Sequence, residues 1–403
     1  MKKKEYLLSI QHLFAMFGAT ILVPLLTGFN PAVCLITAGL GTLIFHFVTG
    51  GVVPVFLGSS FAFIPAILSV NNPQLAQGGI IFAGLIHILL AGLIYLVGVK
   101  NIKKLFPPVI TGSVIILIGL GLAPVGLHDA MSQPIISLIT LGIIILLTTF
   151  GKGLFKLIPL LIGLLIGYII SLSCGLVDFT PILKANWINI PFVTKGFFSL
   201  PKFSLATIIA ISPIALVTFL EHLGDITTNG SVVGKDFIGT VGLHRTLLGD
   251  GLATCLAGFL GGTTVTTYAE NTAVLATTKN YNPALLRMTA IFAIFLGFFG
   301  KFGAFLQTIP TCVKGGIEIL LFGMIASIGV KTLAENNINF KDNRNLMICG
   351  LILVFGLGIK DFAVYGVHIS GLFVAVIVGV IANLILKREE QISGINNQTE
   401  RRI

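Results

Sequence analysis

The stretch from Phe259 to Asn271 reads FLGGTTVTTYAEN. Paired glycines and β-branched threonines make it a poor helix, yet it sits in a chain of apolar runs and ends on the polar pair Glu270 and Asn271. Irregular backbone at membrane depth is tolerated only where protein or a polar cavity satisfies its N–H and C=O groups. A second segment has the same character: GGVVPVFLGSSFAF, from Gly50 to Phe63, is β-branched and glycine-rich with Pro54 in its middle. Each is expected to hold a short extended stretch followed by a half-helix. The free amides of the two half-helix N-termini then point at a common centre. The alternative for both segments is a glycine-kinked, packed helix.

The rest of the chain supplies the membrane. Of its 403 residues, 55% are hydrophobic and only 10% charged, with a mean hydropathy of +1.02, against about 25% charged in soluble domains. Apolar runs long enough to cross a bilayer recur from Tyr6 to Leu386, about fourteen in all. The expected fold class is an all-α polytopic membrane protein. The opening MKKKEYLLSIQHLFAMFGATILVPLL has no small-residue cleavage site and continues as a span, which argues against a cleavable signal peptide.

A net charge of +10 raises the question of nucleic acid. Placement answers it. With the N-terminus inside, that side receives nineteen Lys and Arg, among them Lys2, Lys156, Lys235, Arg287, Lys387, Arg388, Arg401 and Arg402, and the other side six, Lys184, Lys195, Lys202, Lys301, Lys314 and Lys360. This is the positive-inside bias. It implies cytoplasmic termini, a multi-pass chain in the cell membrane with the lipid bilayer as its partner, and no nucleic-acid role. The cysteines Cys34, Cys174, Cys255, Cys312 and Cys349 are scattered singly, as apolar packing residues are, without metal-ligand spacing.

The longest polar stretch divides the chain into a first half, 1–175, an extracytoplasmic connection, 176–203, and a second half, 204–403. FPPVITGSVIILIGLGLAPVGL from Phe106 is similar in its proline, glycine and apolar pattern to IPTCVKGGIEILLFGMIASIGV from Ile309. Counting back from these prolines leads to GSSFAFIPAI at Gly58 in one half and TTYAENTAVL at Thr266 in the other. An odd number of spans per half inverts the second copy, and inverted repeats are a hallmark of secondary transporters whose sites lie near the midplane at interrupted helices.

Acids inside the spans are few. Glu221 and Asp225 lie one helical turn apart on one face, and Glu270 follows in the interrupted segment. A carboxylate at membrane depth costs several kcal/mol unless it is protonated, paired or facing water, so these are functional candidates able to exchange protons. A structural hydrogen-bonding role for one of them is the alternative. His12, His46, His87 and His222 also fall within spans, where a lone histidine is more often a hydrogen-bonded packing residue; His12, which follows Gln11, is singled out. Glu318 is expected to pair with Lys314 at a span end. No phosphate loop, HExxH or nucleophile elbow is present, so neither an enzyme nor a cofactor is expected. Without a nucleotide-binding domain the energy source is an ion gradient. Sodium wants several oxygen ligands, whereas protons need only titratable carboxylates.

Together these residues resemble the nucleobase–ascorbate transporter family, also called nucleobase:cation symporter-2, and within it the bacterial uracil permeases. The family signature is (Gln, Glu or Pro)-Asn-x-Gly-x-x-x-x-Thr-(Lys, Arg or Gly). Glu270, Asn271, Thr278 and Lys279 fit it, with Ala273 in place of the glycine. Gln11-His12, GSSFAFI from Gly58 to Ile64, and Glu221-His222 with Asp225 complete the match, which runs over essentially the whole chain. The resemblance implies about fourteen segments as two inverted repeats. It implies a core domain (segments 1–4 and 8–11), a gate domain (segments 5–7 and 12–14) and short antiparallel strands in segments 3 and 10. Glu221 and Glu270 are implied to bind the nucleobase edge. The backbone amides of Phe61 and Ala269 are implied to meet its carbonyl oxygens, with Tyr268 lining the pocket. Asp225, one helical turn beyond Glu221, is expected on position to carry proton coupling with Glu221 and His12, with Asn271 and Gln11 in support; the resemblance implies a homodimer as the assembly. Uracil permeases of the best-known type carry histidine where Asp225 stands, and aspartate there is similar to xanthine and urate transporters. Those purine transporters usually begin the signature with glutamine, so Glu270 favours uracil. Uracil ranks first and xanthine second.

The expected function is import of a nucleobase by proton symport with alternating access. A channel would not accumulate substrate. A sulfate-type anion carrier of the same architecture would be repelled by acids at its centre, and an intramembrane enzyme lacks a nucleophile or metal set.

Overall fold

The computed structural model describes residues 3–70, 72–152, 155, 158–189, 194, 197–359, 362–364 and 367–386. Lys2, Lys156, Lys195, Lys360 and the expected cytoplasmic tail with Lys387, Arg388, Arg401 and Arg402 lie outside the described residues.

The first half contains α1 (Lys3–Thr27), α2 (Pro31–Val48), β1 (Leu57–Ser59), a 3-10 turn at Phe61–Phe63 that runs into α3 (Ile64–Val70), α4 (Pro73–Val97), α5 (Val99–Leu105), α6 (Pro108–Ala130), α7 (Pro134–Phe150) and α8 (Pro159–Ser173). A short α9 (Thr180–Lys184) lies in the connection. The second half contains α10 (Leu205–Ile211), α11 (Ala215–Val233), α12 (Leu243–Leu260), β2 (Val265–Thr267), α13 (Ala269–Thr278), α14 (Ala284–Phe298), α15 (Gly300–Gln307), α16 (Thr311–Glu335), α17 (Asn343–Gly358), β3 (Phe362–Val364), β4 (Val367–Ile369) and α18 (Gly371–Ile385). Pro31, Pro73, Pro108 and Pro134 each open a helix, where the missing N–H costs nothing. Asn30, Asn72, Asp342 and Ser370 cap helix starts through their side-chain oxygens.

Among the described residues, six helical stretches are long and apolar enough to cross a membrane, the longest from Leu205 to Val233, and shorter apolar helices accompany them. Two bundles form. In one, α12 packs on α4 and α2, α14 on α2 and α1, and α13 on α11. In the other, α6 lies along α16, with α7, α8, α17 and α18 around them.

The extended stretches expected in the two irregular segments are present and pair with each other. β1 and β2 run antiparallel with Leu57 opposite Thr267, Gly58 opposite Thr266 and Ser59 opposite Val265. Threonines from neighbouring helices satisfy the outer edges: Thr42 Oγ1 accepts from Leu57 N at 2.9 Å, and Thr254 Oγ1 donates to Val265 O at 2.9 Å. The ribbon can therefore sit fully buried in an apolar bundle. Residues 52–56, where a span was expected to begin, precede the strand without forming helix, and the helix of that segment starts only at the Phe61 turn. Near the C-terminus a hairpin, β3–β4, occupies the start expected for the last span, and the helix begins at Gly371.

Candidate functional site

A cavity of about 160 Å³ lies between the two bundles, beside the strand ribbon. That is roughly ten times the room one water needs. From the ribbon side it is lined by Phe61, Glu221, Asp225, Tyr268, Ala269 and Glu270, and from the other bundle by Ile115 and Ile118 of α6 and Leu321, Met324 and Ile325 of α16. Acids and hydroxyls thus face an apolar wall, the usual make-up of a small-molecule site. Thr228 and Thr332 continue the cavity toward the C-terminal ends of α11 and α16. Beyond Ala62 and Ile118, which border both, a second cavity of about 290 Å³ opens between α3, α6 and the start of α18.

Each lining group is placed by a local reason. Glu221, Asp225 and Thr228 follow one another on one face of α11. Asp225 Oδ2 accepts a hydrogen bond from Thr267 Oγ1 of β2 at 2.8 Å. Glu221 Oε2 is buried and has no hydrogen-bond partner among the described residues. Phe61 and Ala269 are the first residues of the two half-helices, Phe61–Val70 and Ala269–Thr278. Their amides belong to the first turn, whose N–H groups have no intrahelical acceptor. Glu270 is in the first turn of α13, where the helix dipole favours negative charge. The Tyr268 hydroxyl donates to Ser59 O at 2.9 Å and accepts from Thr20 Oγ1 at 3.1 Å, so the ring lines the cavity while its tip ties β1 to α1. Gly58 makes room for it: a Cβ there would run into the Tyr268 ring.

Gln11, His12 and Asn271 do not line the cavity. Asn271 Nδ2 donates to His12 O at 3.0 Å and lies 3.2 Å from His12 Nδ1, which pins α13 to α1 directly behind Glu270. Gln11 is buried beside them. Glu318 does not pair with Lys314; both its carboxylate oxygens are buried and without a hydrogen-bond partner among the described residues. Lining residues not expected from the sequence include the polar Ser60, Thr266 and Thr267. The Ser60 and Thr266 hydroxyls are buried and unpartnered among the described residues. Asp250, fully buried on α12 behind α11, was not expected either; the rule that flags an acid inside a span would have found it.

The two bundles also touch through aromatic rings. Phe61 meets Phe322 of α16 edge-on at 6.0 Å between centroids, and Phe219 of α11 meets Phe106 at 5.7 Å.

Residues 3–364 match the model of a family described as "Permease family". The chain belongs to it. This permease is 44% identical over 404 residues to the uracil permease of Bacillus subtilis (95% of this chain, 93% of that one). It is 43% identical over 398 residues to a probable uracil permease of Pasteurella multocida (96% and 94%). With the uracil permease of Escherichia coli it shares 39% identity over 393 residues (94% and 90%). The resemblance carried by Gln11-His12, Glu221-His222 and the Glu270 signature is thereby borne out. The permease is a multi-pass transporter and not an enzyme. Its fold is shared with SLC26A9 (TM-score 0.68, 12% identity, 94% of this chain and 64% of that chain). The same holds for the transmembrane domain of a cyanobacterial bicarbonate transporter, BicA (TM-score 0.59, 16% identity, 95% and 97%).

Proposed function

We propose that this permease imports uracil by proton symport. The observation that carries the reading is one cavity holding Glu221, Glu270 and the first-turn amides of Phe61 and Ala269. Uracil is planar and neutral and presents alternating N–H donors and C=O acceptors; carboxylates suit the former and backbone amides the latter. Tyr268 closes the pocket against one side of the ring. The names of the relatives, uracil permeases at 39–44% identity, support the same substrate. An anion of the kind named for the fold neighbour BicA fits poorly beside this set of acids.

Asp225 and Glu221 carry the coupling proton in this reading, and His12 contributes through Asn271, next to Glu270. The chain is taken as about fourteen segments in two inverted repeats, residues 1–175 and 204–403. The ribbon-bearing bundle then serves as core and the α6–α16 bundle as gate. The core moves against the gate between inward- and outward-facing states. The cavity extends toward the ends of α11 and α16, the side that charge asymmetry assigns to the cytoplasm together with both termini. The assembly is proposed as a homodimer in the cell membrane on the family resemblance.

Asp225 favours a second reading, a xanthine or urate permease, because that residue stands at the cavity wall where an additional acceptor suits a purine. The deciding experiment is uptake of labelled uracil into reconstituted vesicles under an inward pH gradient, with xanthine as competitor. Uracil accumulation that excess xanthine leaves unchanged supports the first reading; xanthine uptake without uracil uptake replaces it with the second.

A further inference from the structure

Beside the cavity, on the side of α11 that carries His222, a second set of titratable groups meets in the core. Asp250 of α12, His87 of α4 and His222 of α11 are all essentially inaccessible to solvent. His87 Nδ1 stands 3.3 Å and His222 Nδ1 3.7 Å from the same oxygen, Asp250 Oδ2. The approach of α4 to α12 creates this meeting. Gly84 and Gly251 lie back to back, so close that a Cβ on Gly251 would come within 2.8 Å of Gly84 O and 3.0 Å of His87 Cβ.

The far side of each imidazole meets a carbonyl or a hydroxyl. His87 Nε2 lies 2.9 Å from Ala215 O, a carbonyl that can only accept, and 3.0 Å from Thr218 Oγ1, which itself has Ala215 O within 3.3 Å; a hydrogen on Nε2 satisfies both neighbours. His222 Nε2 lies 3.0 Å from Thr246 Oγ1, which also stands 3.0 Å from Leu243 O; with the hydroxyl hydrogen on Leu243 O, this Nε2 donates as well. In that arrangement both Nδ1 atoms, which like the Asp250 oxygens are buried without a hydrogen-bond partner among the described residues, turn toward Asp250 as bare lone pairs unless a further proton is bound. A carboxylate facing two lone pairs in a sealed apolar site is strongly unfavourable. One added proton removes the conflict. Whether it rests on Asp250 Oδ2 or, with that O–H bond broken and an N–H bond formed, on one Nδ1, the cluster is neutral.

We propose that Asp250, His87 and His222 form a proton-binding site of the core, separate from the acids of the cavity, whose single shared proton sets the pH dependence of transport. The second half of this statement rests on the proton-symport reading above; the bound proton itself does not. The other titratable groups facing the cluster are Glu221 and Asp225 on the cavity side of α11, Glu270 beyond them, Cys255 along α12 and His46 on α2. His46 Nε2 is committed to Val55 O at 3.0 Å, and Arg287 and Arg245 at the helix ends bind the Gly51 and Val48 carbonyls. The cluster comes nearest the cavity acids in the chain at α11, where His222 adjoins Glu221.

The test uses the full chain with nitrogen-labelled histidine, its side-chain NMR signals assigned by His87→Gln and His222→Gln. In the wild type both Nε2 atoms should be protonated and one proton should be shared at Nδ1. In Asp250→Asn the two rings should become plain neutral Nε2–H tautomers. The same variant should retain uracil binding and uracil exchange across vesicles but lose the rise of uptake with external acidity. Wild-type rings with bare Nδ1 atoms and no proton on Asp250 would overturn the site, a result that stands even if Asp250→Asn fails to fold. An unchanged pH profile in Asp250→Asn, or in His222→Gln should the former not fold, would overturn its part in transport. Wild-type uptake that ignores pH while the shared proton is present would overturn the symport reading and leave the proton site standing.

Discussion

Thr267 gives its hydroxyl hydrogen to Asp225, Oγ1 to Oδ2 at 2.8 Å, and so fastens the second strand of the ribbon to the helix that carries Glu221. Moving an unpaired carboxylate past the apolar wall of α6 and α16 is costly, so the core should move most readily when its acids are neutral. Asp225→Asn keeps a partner for Thr267 and removes the charge. It is expected to bind and exchange uracil but to lose accumulation driven by a pH gradient. Binding, exchange and gradient-driven uptake measured on one preparation decide this; if all three fall together, Asp225 is a packing residue.

The Tyr268 strut gives a second prediction. Tyr268→Phe leaves the Ser59 carbonyl and the Thr20 hydroxyl buried without their partner, a loss of about 1–3 kcal/mol. Gly58→Ala places a methyl group against the same ring, and overpacking of this kind costs about 1–3 kcal/mol. Both variants should melt earlier than wild type and bind uracil more weakly. Gly58→Ala at full stability and full affinity would show that the ring has room to shift.

Much of this site is legible in the sequence because its signals are local. The glycines, threonines and Pro54 of the two irregular segments announce broken helix in an apolar chain, and the spacing of Glu221 and Asp225 announces a shared face. What is not legible depends on meetings across the chain. The Thr20–Tyr268 bond joins residues 248 positions apart, and Asp250, visible in the sequence only as one more acid inside a span, gains its neighbours when α4 and α11 deliver His87 and His222. Glu318 shows the limit of spacing rules: Lys314 lies one turn away, yet the packing of α16 on α6 at Gly126 encloses the carboxylate without an ion pair.

Movement of one bundle against the other predicts the effect of a tether. Ala62 and Ile118 border both cavities from opposite bundles. In a chain freed of its five native cysteines, Ala62→Cys with Ile118→Cys joined by a short bifunctional thiol reagent should stop transport. Transport at the untreated rate after complete cross-linking would contradict bundle motion.

The driving ion is predicted to be the proton. Uptake should rise as external pH falls and should collapse when a protonophore is added. A sodium gradient alone, at matched pH and potential, should drive no accumulation, and full activity under that gradient would refute proton symport.

The most direct test of the binding account is equilibrium binding of labelled uracil to purified Glu221→Gln and Glu270→Gln permease. If the carboxylates accept the N–H groups of the base, each glutamine amide can turn a donor toward a donor and leave a buried group unpaired. The expected loss is about 1–3 kcal/mol, or roughly tenfold to a hundredfold in affinity, for each variant. Wild-type affinity in both variants would contradict the assignment of this cavity as the uracil site.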